Sequence, residues 1–210
     1  MIEILLADDH ALFREGLKQI LARHSDLRVA GEAGNGDDVF RKIRERKYDL
    51  VVLDISMPGQ TGWDVLTGIK AEQPDLPVLI LSMHPEDQYA IRMLKAGASG
   101  YVSKESVSNE LITAIRKVAA GGRHVSPAIA EKLAFEVDRR TEKLPHQLLS
   151  NREFQVMSML AGGSTVGEIA GSLHLSEKTI STYRARLFEK LNVRNIAELT
   201  HYAIQHKLIE

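Results

Sequence analysis

Asp8, Asp9, Asp54, Ser82 and Lys104 are residues whose types and spacing suit one shared chemistry. Each falls at the carboxyl end of a predicted strand: Asp8 and Asp9 after Ile2–Ala7, Asp54 closing Leu50–Asp54, Ser82 closing Pro77–Ser82, and Lys104 after Gly100–Ser103. In an open parallel sheet those ends converge on one crevice. Three carboxylates gathered there repel one another and hold protons more tightly unless a cation intervenes. All-oxygen ligands, few in number and with room for water and phosphate, suit Mg²⁺. Once neutralised, one carboxylate can attack a phosphoryl group and become an aspartyl phosphate. Lys104 would then neutralise a transferred phosphoryl oxygen, and the Ser82 hydroxyl would hydrogen-bond another.

Taken singly, each residue has a plainer use. Asp8 or Asp9 can cap the helix that starts near His10, and a lone lysine is usually a solvated charge. Their coincidence at matched strand ends favours a site. His10 and His84 flank the pocket, but their spacing fits no metal motif, so both are read as structural or pocket-rim residues.

The elements that position these residues alternate in type. After the first strand, Leu12, Phe13, Leu17, Ile20 and Leu21 recur at helical spacing. Leu27–Ala33 reads as a second strand, followed by a helix carrying Val39, Phe40 and Ile43. The aliphatic run into Asp54 is the third strand, closed by the turn Met57-Pro58-Gly59, with a helix over Gly62–Glu72. Further helices carry Tyr89, Met93 and Leu94, then Leu111, Ile112, Ile115 and Val118. Five strand–helix repeats predict a flavodoxin-like (βα)5 domain with a parallel sheet and helices on both faces. Acids stand where a dinucleotide fingerprint would place glycines, which argues against a nucleotide cofactor.

Residues 121–147 read as a connecting helix and tether. Ser126-Pro127 is an N-cap followed by proline at the first helical position, Ile129, Leu133 and Val137 form one stripe, and a charged stretch runs to Pro145. Beyond it the chain is helical: Asn151–Leu160, Val166–Leu173, Ser176–Leu191 and Ile196–Gln205. In the third of these, Ile180, Tyr183, Leu187 and Leu191 share one face. Lys178, Thr182, Ala185, Arg186 and Glu189 fall opposite. A short helix, a tight turn and a second helix with small polar and basic residues near its start describe a helix-turn-helix. Ser181, Thr182 and Ala185 are small enough to approach base edges, and Lys178, Thr179 and Arg186 can anchor phosphates.

Composition bounds the rest. The 210 residues carry a formal net charge of −1, so any nucleic-acid surface is local. There is no cysteine, which excludes disulfides and thiolate chemistry and fits a reducing cytoplasm. The first residues carry no basic leader, and no apolar run approaches the roughly 20 residues that span a bilayer. The expectation is a soluble, cytoplasmic protein that does not engage membranes.

Asp8-Asp9, Asp54 with Met57-Pro58 and Gly62, Ser82, and Tyr101 with Lys104 resemble the receiver domain of two-component response regulators, over residues 1–120. Leu149–Glu153, Gly163-Ser164, Glu168-Ile169-Ala170 and Leu175–Arg184 resemble the LuxR-type DNA-binding domain, over 148–210. Together they are similar to NarL/FixJ-family transcriptional regulators. The resemblance implies that a sensor histidine kinase phosphorylates Asp54, that Asp8, Asp9 and Asp54 with the Ser56 main-chain carbonyl bind Mg²⁺, and that Ser82 and Tyr101 form a switch in which Tyr101 turns inward. It further implies homodimerisation on phosphorylation or on promoter DNA, often through the last helix. Such a protein takes up and slowly loses its own phosphoryl group without turning over external substrates. Two rival readings are a haloacid-dehalogenase-type phosphatase, which would place its nucleophile on the first strand, and a receiver whose helical module binds protein.

Overall fold

The computed structural model describes residues 1–57, 60, 62–83, 86–104, 107–138, 144–173, 175–206 and 208–209. Pro58 and Gly59 of the turn, His84, the charged stretch 139–143 and His174 lie outside them. The chain divides into two compact units, Met1–Asp138 and Arg139–Glu210.

In the first unit, strands β1 (Ile2–Ala7), β2 (Leu27–Ala33), β3 (Leu50–Asp54), β4 (Val78–Ser82) and β5 (Gly100–Ser103) form one parallel sheet in the order β2-β1-β3-β4-β5. Helices α1 (Ala11–Leu21), α2 (Gly36–Glu45), α3 (Gly62–Glu72), α4 (Glu86–Lys95) and α5 (Val107–Ala119) alternate with them. Every residue of β3 and β4 is buried, as continuous aliphatic runs require when helices cover both faces. The two-residue period of a strand sorts β1 between two cores. Leu5 and Ala7 pack with Val39, Ile43, Val65, Leu66 and Met93 beneath α2, α3 and α4. Ile4 and Leu6 pack with Leu17, Leu21, Leu111 and Ile115 beneath α1 and α5. The expected flavodoxin-like arrangement is observed.

The stretch expected to be a connector behaves differently. The main chain at His124 lies beside β5: its N–H donates to the Ser99 carbonyl and its carbonyl accepts from Tyr101 N–H, both at 3.0 Å. This parallel bridge faces Gly100, where a Cβ would come within 2.8 Å of the His124 carbonyl oxygen. Helix α6 (Pro127–Asp138) begins after Ser126, whose Oγ accepts from Ile129 N–H at 3.4 Å. Ile129 is 1 % exposed and joins the core of the first unit, with Leu133 packed against it. The apolar stripe read from the sequence is therefore helical, but its first residues are buried in the first unit, where they leave water.

The second unit comprises α7 (Asn151–Ala161), α8 (Val166–Leu173), α9 (Glu177–Leu191) and α10 (Ile196–Gln205). Sequence signals start them as expected. The Ser150 side chain accepts from Glu153 N–H while Glu153 accepts from Ser150 N–H, a complete capping box. Ser176 Oγ accepts from Thr179 N–H at 3.1 Å, and Asn195 Oδ1 from Glu198 N–H at 2.9 Å. Phe154, Met157, Ile169, Ile180, Leu187, Leu191 and Leu199 fill the interior. A 3₁₀ turn, Pro145–Leu148, packs on α9.

Candidate metal centre and nucleic-acid interface

The sheet order reverses direction between β1 and β3, and a crevice opens beyond the strand ends at that point. Asp8 follows β1 there and Asp54 ends β3; each is 1 % exposed. Gly62 keeps the β3–α3 turn tight, because a Cβ at that position would sit 2.3 Å from Ile55 Cα. Ser56 N–H donates to Asp54 Oδ1 at 3.0 Å and fixes the carboxylate from below. Lys104, just past β5, places Nζ 2.7 Å from both Asp54 Oδ2 and Asp8 Oδ2, and 4.5 Å from the centre of the Phe13 ring. Ser82 is fully buried and lies one residue past Leu81, the β4 partner of Asp54.

The charges in this pocket do not balance. Burial pushes the Asp54 carboxyl above its ordinary value, against the pull of Lys104 and of Ser56 N–H. Burial alone would lower the Lys104 ammonium, but its bonds to Asp54 and Asp8 win and raise it. One ammonium thus serves two buried carboxylates. Asp8 Oδ2 lies 2.7 Å from Lys104 Nζ, whereas Asp9 Oδ1, a buried oxygen without a hydrogen bond, has His10 Nδ1 3.0 Å away. Three carboxylates gathered around one ammonium, one of them with an oxygen left without a donor, fit a hard divalent cation.

The plainer use of the two N-terminal acids is not what forms. His10, not Asp8 or Asp9, occupies the N-cap of α1, and its side chain makes no capping bond. Asp8 Oδ1 instead accepts from His10 N–H at 2.7 Å. Sequence spacing left His10 outside the site, yet one ligand atom from each of Asp8, Asp9, His10 and Asp54 lies within 4.8 Å of the others. No spaced motif announces that grouping; adjacency to an acid pair at a strand end is its only signal. Tyr101, the other residue expected in a switch with Ser82, is 1 % exposed and part of the core of this unit.

On α9, Ile180, Leu187 and Leu191 are buried, whereas Lys178, Ser181, Thr182, Ala185 and Arg186 are exposed and Thr179 is half-buried. Tyr183, expected in the core, is only half-buried. Among the described residues, Lys190 is the one cation of this helix engaged in an ion pair, 2.6 Å from Glu153 Oε2. Lys178, Arg184 and Arg186 have no ion-pair partner among the described residues. Arg184 was not among the expected contacts, although it lies three residues from Ser181 on the same side of the helix.

Comparison with known proteins agrees with both units. Residues 4–116 match the family model described as "Response regulator receiver domain", and residues 147–203 that described as "Bacterial regulatory proteins, luxR family". The chain is 39% identical over 209 residues to the response regulator UvrY of Escherichia coli K12, covering 99% of this chain and 96% of that protein. It is 39% identical over 210 residues to the response regulator GacA of Pseudomonas protegens, covering 100% and 99%. Among solved structures, a Salmonella typhimurium RcsB response regulator superposes with a TM-score of 0.70 at 27% identity, covering 96% of each chain. RcsB from Salmonella enterica serovar Typhimurium, bound to promoter rprA in the presence of phosphomimetic BeF3-, gives 0.67 at 26% identity, covering 96% and 98%. A helix-turn-helix unit on a receiver with an acidic strand-end pocket, matched along almost the whole length of its relatives, places this chain in the NarL/FixJ family of two-component response regulators, transcription factors with a LuxR-type DNA-binding domain.

Proposed function

We propose that Asp54 is the phosphoacceptor of a Mg²⁺-dependent receiver, and that a sensor histidine kinase supplies the phosphoryl group. The observation that carries this reading is a carboxylate 1 % exposed at the sheet's switch point, held by Ser56 N–H on one oxygen and by Lys104 on the other. Asp8, Asp9 and Asp54, with the Ser56 carbonyl, are the groups that would hold Mg²⁺; when bound, the ion neutralises the incoming phosphoryl oxygens. An Asp54 oxygen attacks phosphorus, a P–O bond forms, the P–N bond to the donor imidazole breaks, and its electron pair stays on that nitrogen. Lys104 passes from the carboxylate to a phosphoryl oxygen, and Ser82 donates a hydrogen bond to another. Water later attacks phosphorus, the P–O bond to Asp54 breaks, and inorganic phosphate leaves with the carboxylate restored. Ser82 and Tyr101 are read as the switch that answers to the phosphoryl group.

The α9 face carrying Lys178, Thr179, Ser181, Thr182, Arg184, Ala185 and Arg186 is read as the face that enters the major groove of promoter DNA, with pairing of two copies on phosphorylation or on DNA. The RcsB complex with promoter rprA supports this by likeness. Residues 1–120 and 148–210 are the two functional domains. No described helix is long and apolar enough to cross a membrane, which fits a protein acting in the cytoplasm.

The test is incubation with a small phosphodonor and Mg²⁺, followed by intact mass and DNA binding. The wild type gains one hydroxylamine-labile phosphoryl group and binds DNA more tightly; Asp54→Asn gains none. Covalent phosphate persisting in Asp54→Asn refutes the assignment.

A further inference from the structure

We propose that Phe13 is a positioning residue of the phosphoryl-transfer site: the face of its ring holds the Lys104 ammonium where a phosphoryl oxygen arrives. The inference rests on the reading of Asp54 as the phosphoacceptor.

A lysine is almost never buried unless its ammonium is paired. The Lys104 side chain is 4 % exposed, with Asp54 Oδ2 and Asp8 Oδ2 each 2.7 Å from Nζ. An ammonium carries three N–H donors, so two carboxylate oxygens leave one over. Among the described residues Lys104 makes no other hydrogen bond or ion pair, and what Nζ meets next is the Phe13 ring, its centre 4.5 Å away. A cation over an aromatic face within about 6 Å of the centre is attracted by the negative charge of that face, most strongly where water is excluded. The ring is therefore the third partner of the ammonium.

Packing alone does not ask for an aromatic residue here. Phe13, Leu17 and Leu21 stand four residues apart on α1 and share one face. Leu17 and Leu21 are buried, whereas Phe13 packs against the same core and is only half-buried. Any apolar side chain would continue that stripe. Its neighbour Arg14 donates to the Asp8 carbonyl at 2.5 Å, which ties this turn of α1 to the end of β1 and so keeps the ring at the crevice. The attraction depends on charge over the face rather than on one N–H direction. It therefore persists while Lys104 exchanges an Asp54 oxygen for a phosphoryl oxygen. An aliphatic side chain would cover the ammonium without attracting it, and water would take the third N–H and compete with the incoming phosphoryl group.

The experiment measures the initial rate of phosphoryl uptake by the full chain from acetyl phosphate with MgCl₂, followed by intact mass. The wild type is compared with Phe13→Leu, Phe13→Tyr, Asp54→Asn and chains carrying mono-, di- or trifluorophenylalanine at position 13. Fluorinated rings keep the packing and lose the negative charge of the face, so a response to them reads electrostatics rather than shape. Phe13→Leu should slow uptake about tenfold, within the range that a desolvated contact of this kind supports. Phe13→Tyr should restore most of the rate, and the logarithm of the rate should fall with each added fluorine. A trifluorinated chain as fast as the wild type, or Phe13→Leu as fast as Phe13→Tyr, overturns the role of Phe13 even while Asp54→Asn stays inert. Uptake by Asp54→Asn overturns the reading of the site itself, and the role of Phe13 with it.

Discussion

Each unit of this protein buries a carboxylate against a lysine, and the two pairs are built to opposite ends. In the helical unit, Glu153 is 3 % exposed and accepts from Ser150 N–H at 2.7 Å and from Lys190 at 2.6 Å. Burial alone would push its carboxyl up, but Lys190 and the Ser150 donors outweigh it and hold the group below its ordinary range. In the receiver, Asp54 has comparable burial and a lysine of its own, yet its carboxyl is pushed up. The difference is company. Glu153 has donors to spare, whereas Asp54 divides Lys104 with Asp8. A satisfied carboxylate stabilises a fold, and an under-served one is available for chemistry.

The widest separation between the two pairs is in reactivity. Asp54→Asn should abolish phosphoryl uptake, and Glu153→Gln should leave its rate unchanged; mass spectrometry after treatment with phosphodonor checks both. Stability should separate them in the reverse order. Glu153→Ala removes one half of the capping box and the partner of Lys190, which costs about 2 kcal/mol, seen in denaturant unfolding and in faster amide exchange in α7. Asp54→Asn, measured without divalent cations, should leave stability equal or higher, since it deletes a charge that burial disfavours. A large loss there would mean that Asp54 is as structural as Glu153.

A third contrast lies between lysines of one helix. Lys190 is committed to Glu153, while Lys178 is exposed and has no ion-pair partner among the described residues. Lys178→Ala should weaken DNA binding uniformly across sequences and flatten the salt dependence by about one unit of slope. Lys190→Ala should leave that slope unchanged and act on stability.

The smallest effect is a matter of sign. Glu153 has a folded value below its ordinary 4.5, so its contribution is full above 4.5 and is lost as pH falls through the folded value. Asp54 has a folded value above its ordinary 3.8, so its contribution is greatest in acid and declines as pH rises from 3.8 through the folded value. Subtracting the pH–stability curves of Glu153→Gln and Asp54→Asn from that of the wild type, in a chelating buffer, should give slopes of opposite sign.

Much of this was legible in the residues. The aliphatic runs that end at Asp8 and Asp54 are long enough for strands and too short for helices, and their boundaries fall where the structure has them. The serines at 126, 150 and 176 announce helix starts because their side chains bond backbone N–H groups only a few residues on. What stayed hidden was long-range. The stripe Ile129–Leu133 declares a buried face but not what buries it, and the bridge at His124 depends on a glycine 24 residues earlier. His10 was passed over for the same reason: its proximity to Asp54 comes from the sheet, not from spacing along the chain. Arg184 stood within reach of the same helical geometry that singled out Ser181.

The His124 bridge also settles something about the margins of the sheet. An open strand edge is a template on which a foreign strand can grow. Beside β5, the backbone of residue 124 already takes the place an intruder would need. At the far side, β2 carries Arg28 and Glu32 and is kinked at Ala30, where the register with β1 slips by one. Neither border invites addition of another strand, so any meeting of two receivers is left to their helices.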